Sequence, residues 1–167
     1  MVVWLTGQPS SGKSTFGERL NAELRARSVL SCLLDGDEVR VALVPRHGYD
    51  PKSRDEYYAT LGNLAALLAA QGLVVIVAAT AHLRAHREHA RAAAGTFIEV
   101  HVRASQAEVE ARDAKGLYAA VREGRVAGVP GADVGYEEPT APDYVADGGR
   151  DAAALARLVS AIEQKLA

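Results

Sequence analysis

Short apolar runs alternate along the chain with longer stretches in which apolar residues recur at helical spacing. The run from Val2 to Leu5 is apolar at every position, which is typical of a strand buried on both faces of a parallel sheet. Because strand and helix alternate to the end, the pattern predicts an α/β fold with a five-stranded parallel sheet and helices on both faces. The predicted strands are residues 2–6, 29–34, 73–79, 96–102 and 144–146. The predicted helices are residues 13–27, a short one ending at 43–45, and residues 53–71, 83–94, 105–113, 116–123 and 151–166.

Two of these helices have a clear apolar face, and both faces are expected to point into the core. The helix over residues 53–71 carries its leucines on one side and ends before Gly72, a typical C-cap residue. The inward residues are expected to be Leu61, Leu64, Leu67 and Leu68 in this helix, and Leu155, Leu158, Val159, Ile162 and Leu166 in the last one.

Residues 114–142 differ in character from the rest of the chain. They are rich in Gly and Pro, contain scattered Lys, Arg, Tyr and Asp, and have no long apolar run. Segments of this length in a compact domain are usually functional loops or disordered. We therefore predict a mobile lid over residues 114–142 within a single domain of residues 1–167.

The first strand leads into Gly7-Gln8-Pro9-Ser10-Ser11-Gly12-Lys13-Ser14-Thr15, which fits the phosphate-binding pattern G-x-x-x-x-G-K-[ST]. Glycine lets the loop turn tightly, so that backbone N–H groups and the following helix N-terminus surround an anion. Lys13 is expected to reach the β- and γ-phosphates of ATP, and the Ser14 hydroxyl to bind Mg²⁺. The predicted nucleotide-binding residues are Gly7, Ser10, Ser11, Gly12, Lys13, Ser14 and Thr15.

Two carboxylates follow the second predicted strand, at the same sheet edge as the P-loop. Asp35 and Asp37 are candidates to organise Mg²⁺ or to accept a proton from the hydroxyl that is phosphorylated. The alternative is a structural role, because Asp-Gly-Asp also suits an Asx turn and a helix N-cap.

Several cations are placed to meet anionic ligands. Arg40 and Arg54 are candidates to clamp a phosphate or sulfate group, against the alternative of solvated surface residues. Lys115 opens the predicted lid and is expected to close over phosphates, while Arg112 is expected to stack on a purine.

Composition and charge exclude several other classes of protein. The chain has 167 residues, is 49% hydrophobic and 24% charged, and has a formal net charge of −2, so no basic field recruits nucleic acid or lipid. No apolar run is long enough to cross a bilayer, and no signal peptide is evident. The single cysteine, Cys32, suits a reducing cytoplasm. A GTPase is disfavoured because no N-K-x-D motif is present.

Three histidines, His82, His86 and His89, recur at helical spacing on one predicted helix. That spacing can gather a metal, but no cysteine or carboxylate set completes a site and neighbouring arginines oppose a cation. We expect an exposed helix face instead.

Taken together, these motifs resemble the adenylylsulfate (APS) kinase family from Val2 to about Asp147. The resemblance rests on Trp4-Leu5-Thr6-Gly7 with the P-loop, on residues 34–40 (Leu-Asp-Gly-Asp-Glu-Val-Arg) and on residues 72–75 (Gly-Leu-Val-Val). It continues through residues 97–100, 110–113 and 115–118, and ends with residues 131–133 and 136–137.

The resemblance implies a P-loop kinase that transfers the γ-phosphate of ATP to the 3′-hydroxyl of adenosine 5′-phosphosulfate (APS). It implies Asp35, with Asp37 beside it, as base or metal-organising carboxylate, and Lys13 and Lys115 at the phosphates. Arg112 would pack on the ATP adenine. The implied acceptor-binding residues are Arg40, Tyr49, Arg54, Tyr57, Thr80, Lys115, Leu117 and Val129. The family is commonly dimeric, so a homodimer is expected.

The acceptor side departs from the family pattern. Tyr57 stands where the family has a substrate-contacting Asn, Thr80 lies in a rebuilt Ala-Thr-Ala-His stretch, and Val129 replaces a lid Phe that stacks on the substrate base. Tyr57 is expected either to restore part of that stacking or to block the pocket. Two alternatives therefore remain: a relative that phosphorylates another anionic nucleotide-like molecule, such as a cytidine diphosphate derivative or a nucleoside antibiotic, and a non-catalytic nucleotide-binding subunit.

Overall fold

The computed structural model describes residues 1–113 and 116–167 of the chain. These residues form five strands, β1 (Val2–Thr6), β2 (Ser31–Asp35), β3 (Val74–Ala78), β4 (Phe97–Arg103) and β5 (Tyr144–Asp147). They also form seven helices, α1 (Lys13–Ala26), α2 (Gly36–Ala42), α3 (Pro51–Ala70), α4 (Arg84–Ala93), α5 (Gln106–Arg112), α6 (Leu117–Arg122) and α7 (Ala152–Leu166).

All five strands pair in parallel in the order β2-β3-β1-β4-β5, which confirms the predicted fold class. The central strand β1 aligns Leu5 with Ala78 of β3 on one side and with Val100 of β4 on the other. Strand β2 ends at Asp35, opposite Ala78. The C-terminal ends of β1, β2 and β3 therefore meet at one edge of the sheet, where open α/β sheets bind their ligands.

A hydrophobic core covers each face of the sheet, because adjacent residues of a strand point to opposite faces. Val3 and Leu5 of β1 face the core formed with α1 and α7, whereas Val2 and Trp4 face the core formed with α3. Helices thus lie on both faces, as the unbroken apolar runs predict.

Local signals explain most helix starts. The Asp50 side chain caps α3 by accepting from Ser53 N, and Pro51 occupies the first helical position. Ser105 and Glu108 form the predicted capping box of α5. Strand β2 begins two residues later than predicted and extends to Asp35.

Two of the residues predicted to point inward are exposed. Leu67 of α3 is 60% exposed and Leu166 of α7 is 49% exposed, so the apolar faces are narrower than the leucine pattern suggests. Leu166 lies in the last turn of its helix, beyond the edge of the sheet core.

In the two ranges that the structure describes, there is no helix long and apolar enough to cross a membrane.

Candidate active site

The P-loop follows β1 and shows why small residues are needed in it. A β-carbon on Gly7 would lie 2.3 Å from the Val102 carbonyl oxygen, and one on Gly12 would lie 2.5 Å from Gly149 N. Gly12 also has a φ of +104°, in the left-handed region that favours glycine. Neighbouring strands and turns therefore pack directly against the loop and hold its backbone in place.

The predicted phosphate-binding lysine lies at the mouth of this loop. Lys13 Nζ donates to the carbonyl oxygens of Gly7 and Gln8, at 2.9 and 2.8 Å. The ammonium group is thus anchored beside the N-terminus of α1, where an anion is favoured by the helix dipole.

Asp35 contacts the P-loop directly, although the two lie 21 residues apart in the chain. Ser14 Oγ donates to Asp35 Oδ2 at 2.5 Å, and Asp37 N donates to Asp35 Oδ1 at 2.9 Å. Asp35 is also the N-cap residue of α2. The structural and functional readings of Asp35 are therefore compatible, because one carboxylate caps the helix and faces the P-loop.

Arg112 and the turn after β5 line the other side of the P-loop. Arg112 Nη1 donates to Ser11 O at 3.4 Å, and Arg112 Nη2 forms an ion pair with Glu108 Oε1 at 3.0 Å. Gly148, with a φ of +78°, lies in van der Waals contact with the Arg112 guanidinium. Arg112 thus lies beside the P-loop, and its stacking on a purine stays a prediction.

Arg40 is buried, not a solvated surface residue. It is 4% exposed, and its Nη1 donates to Gly48 O at 2.6 Å and to His47 O at 3.3 Å. Its guanidinium carbon lies 3.6 Å from the ring centre of Tyr57 and 4.6 Å from that of Tyr49. Two aromatic rings and two carbonyl groups therefore fix the orientation of this cation.

Arg54 is likewise buried, at 7% exposure, and ties α3 to the segment after α6. Its Nη2 donates to Gly128 O. The Asp133 carboxylate organises that segment by accepting from Gly128 N and Val129 N, each at 2.6 Å. These bonds hold the pKa of Asp133 below its ordinary value. Val129 is buried within this ordered turn.

Tyr57 lies in the core beneath the acceptor side, at 1% exposure. Its hydroxyl donates to Gly36 O, between the two carboxylates of the Asp-Gly-Asp stretch. Burial raises the pKa of this phenol well above its ordinary value. Tyr49, in contrast, is exposed at the rim of the site.

A single cleft of about 740 Å³ joins these groups, within the size range of ligand pockets. Its lining includes the P-loop from Gly12 to Thr15, both carboxylates and both buried arginines. The other predicted residues that line it are Ser10, Tyr49, Tyr57, Thr80, Arg112, Leu117 and Val129. Gly7 and Ser11 are buried within the P-loop and do not line the cleft. Lys115 lies outside the described residues.

The cleft also includes residues that the sequence did not single out. Arg46, Val41 and Val126 line its acceptor side, together with Ala127 and Tyr58. The sequence signal for Arg46 and Val41 is their position shortly after the Asp-Gly-Asp stretch.

The predicted exposed histidine face is wrong for two of its three members. His82 and His86 are buried with their rings 5.3 Å apart, and His86 Nε2 lies 2.8 Å from Asp55 Oδ1. Burial, together with the Arg54 charge, lowers the pKa of His82 to about 4. His82 precedes α4, so only His86 and His89 lie on that helix. The helical periodicity also did not reveal that α3 packs over His86, which contacts Asp55. In the described ranges, no group of three or more His, Cys, Asp or Glu side chains could hold a metal ion.

Hydrogen bonds connect the end of β1 to the residues that follow β3 and to the segment that precedes β5. Thr6 Oγ1 donates to Thr80 O at 2.7 Å and lies 3.0 Å from Tyr136 Oη. Burial raises the pKa of Tyr136 to about 12. Neither Thr6 nor Tyr136 was expected to support the site, because their contact spans 130 residues.

Comparison with known proteins agrees with this geometry. The sequence profile of the adenylylsulphate kinase family matches residues 1–147. The adenylyl-sulfate kinase of Staphylococcus carnosus is 38% identical over 149 residues, which are 88% of this chain and 75% of that protein. A probable bifunctional SAT/APS kinase of Sorangium cellulosum is 38% identical over 165 residues, which are 98% of this chain but 28% of that protein.

The fold is shared with a solved structure as well. The APS kinase of Mycobacterium tuberculosis in complex with AMPPNP and APS is similar with a TM-score of 0.86 and 32% identity. The match covers 99% of this chain and 96% of that one.

Proposed function

Because this chain belongs to the adenylylsulphate kinase family, we propose that it transfers the γ-phosphate of ATP to the 3′-hydroxyl of APS, giving 3′-phosphoadenosine 5′-phosphosulfate. The observation that carries the proposal is the single cleft in which a P-loop, two carboxylates and two buried arginines meet. A kinase needs both substrates side by side, and the relative solved with AMPPNP and APS supports two small molecules in such a site.

The nucleotide side is assigned to the P-loop. Its backbone N–H groups and the Lys13 ammonium bind the β- and γ-phosphates, and so neutralise the charge that develops on transfer. Arg112 packs against the adenine from the opposite side of the loop. Lys115, outside the described residues, stays predicted as a cation that closes over the phosphates from the lid.

Ser14 and Asp35 fit a Mg²⁺ ion that accompanies ATP. Both offer oxygen ligands, which Mg²⁺ prefers, and their oxygen atoms lie 2.5 Å apart next to the P-loop. When bound, the ion would supply positive charge that offsets the negative charge of the ATP phosphates.

Asp35 is also the carboxylate that orients the acceptor hydroxyl for in-line attack, with Asp37 beside it. The hydrogen bond from Asp37 N and the helix start at Gly36 fix its direction. A carboxylate held in this way needs no rearrangement as the proton is transferred.

The acceptor is assigned to the opposite end of the cleft. Arg40 and Arg54 bind the phosphosulfate group, since buried guanidinium groups bind such anions strongly and in a fixed orientation. Exposed Tyr49 offers a ring to the adenine of APS. Thr80, Leu117 and Val129 complete the walls.

The test is ADP release from ATP and Mg²⁺ with and without APS. We expect APS to raise ADP release at least about tenfold over ATP alone, with a product that co-migrates with 3′-phosphoadenosine 5′-phosphosulfate. The Lys13→Ala variant, purified in parallel, controls for contaminating kinases.

A second candidate acceptor is favoured by one observation, the covered ring of Tyr57. With Val129 in place of an aromatic residue, only Tyr49 remains at the rim to stack on a base. The same assay therefore includes cytidine diphosphate derivatives and nucleoside antibiotics. Stimulation by one of these and none by APS would replace APS as the acceptor, and no stimulation by any would favour a binding subunit.

We further propose that the chain is one kinase domain that acts as a homodimer in the cytoplasm. Exposed apolar side chains such as Leu30 and Leu67 are available for a second copy to cover. Light scattering coupled to size exclusion, at micromolar protein, gives the mass that checks this proposal.

A further inference from the structure

Tyr57 makes two contacts that connect separate parts of the acceptor side. Its hydroxyl donates to the Gly36 carbonyl, in the peptide between Asp35 and Asp37. Its ring lies under the Arg40 guanidinium, 3.6 Å from ring centre to guanidinium carbon. One side chain of α3 therefore touches both the carboxylate turn and the anion-binding arginine.

The ring of Tyr57 is enclosed by its neighbours and offers little surface to a substrate base. Arg40 covers one face, while His47 and Tyr58 approach at centroid distances of 6.0 and 5.2 Å. The side chain is 1% exposed, so a base could reach the ring only if Arg40 moved away. Neither expected role, stacking on the base or blocking the pocket, describes these contacts.

We propose that Tyr57 is a positioning residue, which orients Arg40 for the acceptor anion and fixes the peptide of Gly36 beside Asp35. This inference rests on the proposed function, because it assigns the bound anion to an acceptor of the kinase. It differs from the family resemblance, in which an Asn at this position contacts the substrate itself.

The physical argument is orientation of a buried cation. Arg40 is 4% exposed and lines the cleft, so only a small part of its side chain can meet a ligand. Its Nη1 group is engaged by the carbonyl groups of Gly48 and His47. The ring of Tyr57 fixes the remaining rotation of the guanidinium plane, which decides whether an anion meets two N–H groups or one.

The first experiment needs no substrate. An aromatic ring 3.6 Å from a guanidinium shifts the Arg40 Hε resonance by its ring current. We expect this shift in a ¹⁵N-detected arginine side-chain spectrum of the ligand-free protein, its retention in Tyr57→Phe, and its reduction in Tyr57→Leu, where the Tyr49 ring, 4.6 Å from the guanidinium carbon, still contributes. Assignment uses Arg40→Lys, and Tyr144→Phe is the matched control because Tyr144 lies on β5, away from the cleft.

The second experiment is a double-mutant cycle on acceptor binding, with APS as probe and calorimetry as readout. Tyr57→Leu should weaken APS binding about 5- to 30-fold, the range for a desolvated cation–π contact. In an Arg40→Met background, the same substitution should change binding less than twofold, because its effect passes through Arg40.

The Tyr57→Phe variant separates the two contacts. It keeps the ring but loses the bond to Gly36 O, so we expect kcat to fall about 3- to 10-fold while KM for APS stays within twofold. Thermal midpoints measured in parallel exclude unfolding as the cause.

Three outcomes would overturn the inference. They are an Arg40 Hε resonance unchanged in Tyr57→Leu, an equal loss of binding with and without Arg40, and kcat in Tyr57→Phe equal to wild type. If wild-type protein fails to bind APS, the proposed function fails, while the spectrum still tests the Tyr57–Arg40 contact independently.

Discussion

Lys13 and Asp35 carry the charges on which phosphate transfer depends, and each is held by neighbours that fix its direction. Two carbonyl groups anchor the Lys13 ammonium, and Ser14 and Asp37 anchor the Asp35 carboxylate. Such preorganisation matters because groups that need not move stabilise a transition state most.

We expect Lys13→Ala and Asp35→Ala each to lower kcat at least about 100-fold, measured as acceptor-dependent ADP release, in protein that stays folded. Because Asp35 also caps α2, Asp35→Ala should lower the free energy of unfolding by about 0.5–2 kcal/mol. Lys52→Ala is the control, because that lysine is exposed on the first turn of α3 and paired only with Glu56. Near wild-type turnover in Asp35→Ala would remove Asp35 from the mechanism.

At the residue scale, the sequence predicted local chemistry well and long-range burial poorly. The placement of the P-loop next to Asp35 follows from one motif and the end of one strand. The burial of Arg40 and Arg54 could not be predicted from the sequence. It depends on contacts with Tyr57 and Gly128 and on the turn that Asp133 organises. His82 and His86 were misjudged for the same reason.

At the scale of elements, the approach of α3 to α4 is set by a glycine. A β-carbon on Gly62 would lie 3.0 Å from Ala90 Cβ and 3.1 Å from Ala90 Cα. Side-chain hydrogen bonds between His86 and Asp55 and between His89 and Asn63 also connect the two helices. Helix α3, which carries Arg54 and Tyr57, is therefore held at a fixed distance from α4.

Gly62→Leu should lower the free energy of unfolding by about 1–3 kcal/mol, because the larger side chain forces the two helices apart. Ala70→Leu, exposed at the end of the same helix, should change it by less than about 0.5 kcal/mol. Urea denaturation followed by circular dichroism measures both. Equal stability of wild type and Gly62→Leu would show that the crossing is not close-packed.

Most elements were predictable because their signals are local, such as the capping box of α5 and the continuous apolar run of β3. The exposed positions of Leu67 and Leu166 were not, because the width of a buried helix face depends on its neighbours. The ordered turn at residues 128–134 was also missed, since its cause is a carboxylate four and five residues downstream of the amides that it binds.

At the scale of the whole molecule, a buried histidine makes stability depend on pH. The pKa of His82 is about 4 in the fold, against an ordinary value of 6.5, so acid protonates the unfolded chain first. Above pH 6.5, His82 is neutral in both the folded and the unfolded chain and does not change stability. As pH falls from 6.5 towards 4, only the unfolded chain takes up the proton, so the free energy of unfolding decreases.

Between pH 7 and pH 5, the free energy of unfolding should therefore fall by about 2 kcal/mol less in His82→Asn than in wild type. Urea denaturation at both pH values measures the difference. His89→Asn is the control, because His89 is exposed on α4, which begins two residues after His82. Parallel declines in wild type and His82→Asn would show that His82 does not titrate in this range.

The architecture as a whole follows from alternating strands and helices, whereas the strand order β2-β3-β1-β4-β5 had to come from the structure. That order puts β1 in the middle and places Asp35, the last residue of β2, within reach of the P-loop. The single cleft is thus a property of topology that no individual motif predicts.

Part of the back wall of the P-loop lies beyond the residues that the family profile matches. The family profile ends at residue 147, but Gly149 packs against Gly12, and Arg19 donates to Gly149 O at 3.2 Å. Helix α7 then covers one face of the sheet. Shortening this protein to the end of the profile match at residue 147 would remove this support of the nucleotide loop. Any fusion joint therefore belongs after α7.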